Sequence, residues 1–452
     1  MIRRPRIAAL CVLVGCQPSA LTVDIDVLTP EDADELEAAN NVAAVLAPDG
    51  ASYSGAADGL DFAIELELDP DDELRTLALY LARDETLLAW GQTAAFTYGA
   101  AAAGIALFLG EPGAMSTFPL VLDLPDDLLL AATAPGRGIV MVSSTGATSY
   151  IDGFTLATSE ADALSNAPPA DDGALVGDAN GGVMRVAWAT GLRAHRFDPG
   201  EDEWIDVEHD GADVVGNRPG AAWVVDGAAQ VLTLLGGGEA RDAIAIDLVP
   251  RDDDSLRAGR VDVPELDAPR AGATALWATR ADGDEGEDVM LFGADDARGV
   301  VWLVRAGLAV GPEGPWLGGR CVQLDAGDDG APVRVLCGGG MRGDAPTGDA
   351  LVVTLAADGS AIAQDRPALL TPPMASPLWF VDSLAVYAQG EGVLLPLDKA
   401  TLEAAEPRTG LRGRGGQAVA LEGGAMLVVG GADPAGVPTT RIQVFTPAVA
   451  TE

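Results

Sequence analysis

The sequence predicts an all-β protein, and three observations predict it. Apolar runs closed by glycine recur through the last three-quarters of the 452-residue chain, most clearly at Met426-Leu427-Val428-Val429-Gly430-Gly431. Echoes stand at Thr233-Leu234-Leu235-Gly236-Gly237-Gly238 and Val335-Leu336-Cys337-Gly338-Gly339-Gly340. These runs return in units of about 40 to 55 residues, a period typical of propeller blades. Ahead of them, strict apolar/polar alternation at Leu21, Val23, Ile25 and Val27 against Thr22, Asp24 and Asp26 marks a strand with one buried face.

The first sixteen residues read as a targeting segment. Arg3, Arg4 and Arg6 make a cationic start, and residues 7–14 form an apolar stretch too short to span a bilayer. It closes on Leu13-Val14-Gly15-Cys16, which resembles the bacterial lipoprotein signal, where small residues precede a cysteine that is acylated. That resemblance implies a lipid anchor on Cys16. Gln17 stands where the family's inner-membrane retention signal would be aspartate, which implies the outer membrane or the cell surface. No other apolar stretch approaches spanning length, so the lipid is the only anchor expected.

Residues 17–113 read as a small sandwich. Phe62, Ile64, Leu66 and Leu68 repeat the alternation of the first strand, and further strands are expected near 42–46, 74–82, 87–90, 96–98 and 105–109. Thr29-Pro30-Glu31-Asp32 looks like a helix start, with Thr29 as cap and the carboxylates at the positive end. About seven short strands in such a length suggest an immunoglobulin-like β-sandwich.

Residues 117–450 hold the repeats. Aligned on the glycine-closed strand, units fall near 141–146, 186–191, 233–238, 290–293, 335–340, 386–390 and 427–431, so seven blades are favoured over six. An aromatic, an Asp-Pro turn and a tryptophan follow in the second unit as Phe197, Asp198-Pro199 and Trp204. This region resembles a Kelch-type β-propeller, the fold shared with the galactose oxidase propeller. The third, fifth and seventh units match best. The first, fourth and sixth depart, at Ser143-Ser144-Thr145-Gly146, Phe292-Gly293-Ala294 and Ala388-Gln389-Gly390. In a seven-bladed ring, a strand at 119–124 would join the last blade and remove the open edges.

Candidate chemistry is sparse. Arg218, Arg270, Arg320 and Arg414 each shortly precede the first strand of a unit and would converge on one mouth of the ring, where a carboxylate-bearing ligand would fit. The favoured reading is nevertheless structural, each arginine bonding carbonyls and carboxylates between neighbouring blades, since repeated residues in repeat proteins are more often structural. Cys321 and Cys337, the two cysteines left after Cys11 is cleaved off and Cys16 acylated, sit on adjacent expected strands and are expected to pair. The acidic run Asp282, Asp284, Glu287, Asp288 would suit calcium, although its spacing is not that of an EF-hand loop and a solvated hairpin tip is the alternative. No other cofactor is called for. Arg342-Gly343-Asp344 is a tripeptide expected by chance in this composition. The only histidines, His195 and His209, fall around the second unit, on an outer strand and in an acidic turn, and read as surface residues.

A net charge of −42, from 69 acidic residues, excludes nucleic acid as a partner, because its phosphates would be repelled. The expected function is a lipid-anchored, non-catalytic binding or scaffold role in the envelope, through a protein or glycan ligand at the ring's face. The alternative is an extracellular carbohydrate-active enzyme with paired carboxylates in the mouth.

Overall fold

The computed structural model describes residues 6–449 apart from 10–22, 32, 49, 63–71, 102–103, 122–128, 170–171, 250–254, 280–287, 294–298, 328–330, 410–414, 434 and 440. It is an all-β protein of many small antiparallel sheets. No helix among the described residues is long and apolar enough to cross a membrane.

Two sheets make up the N-terminal part. One runs in the order Ala51–Ala56, Asn41–Ala47, Thr76–Arg83, Thr86–Gln92. The other joins Arg6–Ala9, Val23–Leu28 and Ile105–Phe108, the last two parallel. Alternation decides which side chains meet: Ile25 and Val27 from one sheet close on Val42, Ala44, Leu46, Leu77, Leu79 and Leu81 from the other. Three local expectations differ. The expected strand at 96–98 makes one bridge, Arg75 to Phe96, before a short helix, Tyr98–Ala101. The acidic helix start sits later than expected, as a 3-10 turn over Asp34–Ala38 that no side chain caps, so Thr29 is not its cap. The strand Ala51–Ala56 goes unexpected in the sequence: it lies at the sheet's edge, and its inner face, Ala51 and Tyr53, is only half-buried against the core, with small residues elsewhere. Of the alternating run that begins at Phe62, only Phe62 itself is described, and it is buried in this core.

Seven further sheets follow, each containing a four-stranded antiparallel unit consistent with a propeller blade. The apolar runs of the sequence are their second strands: Gly138–Ser143, Val183–Ala187, Val231–Leu235, Asp288–Phe292, Val333–Gly338, Ala385–Gly390 and Met426–Val429. A strand in the middle of its sheet that also packs on both faces has no wet side, so it reads as a continuous apolar run rather than an alternating one. The double glycines that close three of them share one conformation. Gly236 and Gly237, Gly339 and Gly340, and Gly430 and Gly431 all have φ between 64° and 91°. At Gly340 a Cβ would also lie 2.4 Å from the amide of Gly319, in the lead-in to the first strand, so any side chain there would block the turn.

The sheets succeed one another cyclically, each consecutive pair sharing an apolar cluster. Leu130 and Val140 of the first meet Leu175 and Phe197 of the second. Met184 and Val186 of the second meet Leu232 and Ile244 of the third. The same holds through the third and fourth, fourth and fifth, fifth and sixth, and sixth and seventh. The seventh returns to the first: Val419, Leu427 and Val429 pack on Ala131, Ile139 and Met141. There Ala131 N–H donates to Gln417 Oε1 at 2.8 Å and Thr133 Oγ1 donates to Ala420 O at 2.8 Å.

The outermost strand of the seventh sheet is Ala114–Val121, paired antiparallel with Arg441–Thr446 and supplied from the N-terminal side of the chain. It starts five residues before the stretch expected for it. The N-terminal part is fastened to the same place. Ala106 and Phe108 enter the cluster between the seventh and first sheets, and the Phe108 and Phe118 rings lie 5.5 Å apart. Trp90 Nε1 donates to Pro447 O at 2.7 Å. The third sheet gains a fifth strand, Glu208–Asp210, which leaves the second sheet and runs parallel to Ser255–Arg260.

Candidate functional site

Arg218 and Arg270 each stand four residues ahead of their first strands, Ala222–Asp226 and Thr274–Ala278. Both are buried, 4% and 2% exposed, and their guanidinium groups turn beneath the loops beside them. Arg218 donates from Nε to Val215 O at 2.7 Å, from Nη1 to Gly236 O at 3.1 Å and from Nη2 to Asp242 Oδ1 at 2.7 Å. Arg270 forks onto Asp267, with Nε to Oδ1 at 2.8 Å and Nη2 to Oδ2 at 3.1 Å, and also donates to Gly299 O at 2.7 Å. Its backbone has φ +51°, a costly conformation for a residue with a side chain, held by that fork. These contacts lie almost wholly within each arginine's own sheet and its lead-in, rather than between neighbouring sheets as the structural reading expects.

Arg320 is placed differently. It is the first residue of its strand, Arg320–Asp325, not four residues ahead of it. The position four residues ahead is Trp316, whose Nε1 donates to Gly339 O at 2.5 Å. Gly339 follows the second strand of the fifth sheet as Gly236 follows that of the third. Trp316 therefore does in the fifth sheet what Arg218 does in the third. The Arg320 side chain, half-buried, makes no hydrogen bond or ion pair with any described residue, and burial lowers its pKa by penalising the charged form. Its carbonyl accepts from Trp379 Nε1 of the sixth sheet at 3.1 Å. Arg414 lies outside the described residues.

Beside Trp316 a small hairpin, Met341–Arg342 paired with Ala345–Pro346, rises from the double glycine. Arg342 lies over the Trp316 ring at 4.1 Å and pairs with Asp349 at 3.1 Å, so this arginine of the Arg-Gly-Asp tripeptide has two partners within the protein.

Buried carboxylates are held by backbone amides. Asp288 accepts from the N–H of Arg305 at 2.7 Å and of Ala306 at 3.0 Å, and burial raises its pKa. The only described member of the acidic run is thus turned inward to fix a strand end; Asp282, Asp284 and Glu287 lie outside the described residues. Asp178 accepts from Asn180 and Gly182 N–H and pairs with Arg196 at 2.6 Å. Asp382 accepts from Leu384, Ala385 and Ala448 N–H. Asp172 accepts from Trp188 and Ala189 N–H. Two further aspartates repeat the theme: half-buried Asp152 and exposed Asp398, each closing a third strand, take two backbone amides and a threonine hydroxyl apiece. Part of the protein's acidity is turn chemistry.

Cys321 and Cys337 face each other in register, Cα atoms 4.0 Å apart, and are bonded. His195 Nδ1 lies 2.8 Å from Asp206 Oδ1. His209 is in the added parallel strand rather than an acidic turn, and both rings are half-buried, each with one nitrogen shut in without a partner. Among the described residues no three His, Cys, Asp or Glu side chains are grouped to hold a metal. Cys16 lies outside the described residues.

Sequence reasoning missed Trp316, Asp242 and Asp267. Counting back from the first strand, instead of anchoring on arginine, would have found Trp316. Asp267, three residues before Arg270, was visible as a local ion pair. No protein-family model matches the chain, and a search of the curated proteins returns no match. What the fold defines is a large all-β protein of many small antiparallel sheets.

Proposed function

We propose that residues 114–446 form a seven-bladed, Kelch-type propeller carried on an immunoglobulin-like sandwich, that Cys16 is the lipid anchor of an outer-membrane or cell-surface protein, and that the ring binds an acidic ligand at the face where its first strands begin. The cyclic succession of shared cores supports the ring. One observation carries the binding reading: Arg320 begins an inner strand as a half-buried cation without a partner, while Arg218 and Arg270 are tied down. A desolvated guanidinium left unpaired is unfavourable, and a ligand carboxylate would complete it.

The test is binding of a fluorescent peptide bearing a single glutamate to the full chain at physiological salt. Arg320→Gln is expected to weaken binding tenfold or more, since a charge-assisted bond contributes about 1.5–3 kcal/mol. Its melting temperature should stay close to that of wild type, because no hydrogen bond or ion pair of the side chain with a described residue is lost. Equal binding by both proteins would overturn the reading.

A further inference from the structure

A second concave surface lies away from the ring's inner strands. A groove of about 560 Å³ runs between the fifth and sixth sheets on their outer side, lined among others by Asp365, Arg366, Leu369, Leu395, Ala405 and Pro407. Arg366 ends the outermost strand of the fifth sheet, Ala361–Arg366, opposite Ala350. The chain beyond it is pinned: Ala368 N–H donates to Asp349 Oδ1 at 3.0 Å and Leu370 N–H to Gly348 O at 2.9 Å. Arg366 is thus presented by a fixed wall.

The Arg366 Nε is shut away from solvent and makes no hydrogen bond. The side chain has no ion pair with any described residue. A buried N–H without an acceptor is costly. The rest of the lining is largely apolar: Leu369, Ala405 and Pro407 offer aliphatic surface above the buried Leu395. Asp365, exposed on the rim, would repel a ligand carrying several negative charges.

We infer that this groove binds a small organic monocarboxylate, its carboxylate on Arg366 and its apolar body against Leu369, Ala405 and Pro407. The volume lies in the range of small-molecule sites, and one charged group set in apolar walls is their usual composition. The site is independent of the acidic-ligand reading at the inner strands.

Calorimetric titration of the full chain with hexanoate, and with 1-hexanol as the uncharged control, tests it. Wild type is expected to bind hexanoate, with hexanol at least tenfold weaker. Arg366→Gln should reduce hexanoate affinity to that of hexanol, and Ala405→Phe, which fills the groove without touching the cation, should weaken both. Arg320→Gln should leave hexanoate binding unchanged. Failure of wild type to bind hexanoate, equal affinity for hexanol, or full affinity in Arg366→Gln would each overturn the inference. So would loss of hexanoate binding in Arg320→Gln with retention in Arg366→Gln. If Arg366→Gln fails to fold, the hexanol comparison and Ala405→Phe still decide.

Discussion

The third and fifth sheets solve one problem with different side chains. In each, a glycine after the second strand donates its N–H to an aspartate carbonyl, Gly236 to Asp242 and Gly339 to Asp349, both at 3.1 Å. In each, the glycine's own carbonyl needs a donor from the lead-in to the first strand. The third sheet uses Arg218, which pairs with the Asp242 carboxylate as well. The fifth uses Trp316, which has one N–H and no charge, and the equivalent carboxylate, Asp349, takes Arg342 from the hairpin instead. The repeat retains a donor and an acid at fixed places while the cation moves. That exchange leaves Arg320 without structural duty in the fifth sheet.

If the lead-in residue acts chiefly as a donor, the charged version should be the costlier to remove. Arg270→Ala has the largest expected effect, because its fork with Asp267 has side-chain exposures of 0% and 8% and leaves a buried carboxylate behind. Deleting one member of a buried pair typically costs about 3–5 kcal/mol. Urea denaturation would read it as a lower midpoint with unchanged slope. Arg218→Ala should cost less, since Asp242 is 28% exposed and water can replace the lost partner.

Trp316→Phe keeps most of the ring and removes the N–H to Gly339 O. An unsatisfied buried carbonyl costs about 1–3 kcal/mol, so the same urea measurement should give a smaller loss than Arg270→Ala. A loss as large as that of Arg270→Ala would mean that the position works by packing volume, and the equivalence between Trp316 and Arg218 would fail.

The parts of this fold legible in the sequence are those whose physics is local. Second strands show because burial on both faces makes them continuously apolar, and the paired glycines show because the turn allows nothing else. The closing strand was placed within a few residues by asking where an open edge must be covered. The strand Ala51–Ala56 stayed hidden because its half-buried face holds only alanine, tyrosine and glycine, too weak an apolar alternation to read. The candidate site was legible only in part. Anchoring on arginine grouped Arg320 with Arg218 and Arg270, although its place in the strand differs, and the donor that matches them is an indole. Asp288 read as a possible oxygen ligand because composition cannot distinguish a solvated carboxylate from one turned inward onto amides.

The smallest expected effect concerns a turn that the first and sixth sheets share. Asp152-Gly153-Phe154-Thr155 and Asp398-Lys399-Ala400-Thr401 place aspartate and threonine three residues apart, and each aspartate accepts from the threonine's N–H at 2.7 Å and from its hydroxyl. Bonds from the Thr401 amide and hydroxyl hold the Asp398 pKa below its ordinary 3.8. The unfolded chain therefore binds the proton first as pH falls. Stability from this group is complete above the unfolded value and is lost as pH drops through the lower, folded one. Asp398 is exposed, so solvent screens the effect and it stays small. Asp398→Asn, whose amide oxygen still accepts but does not titrate, should flatten part of the stability loss as pH falls below about 4. Urea midpoints of both proteins across that window measure it. Identical slopes would mean that the turn is held by backbone conformation alone, and that the carboxylate adds nothing an amide does not.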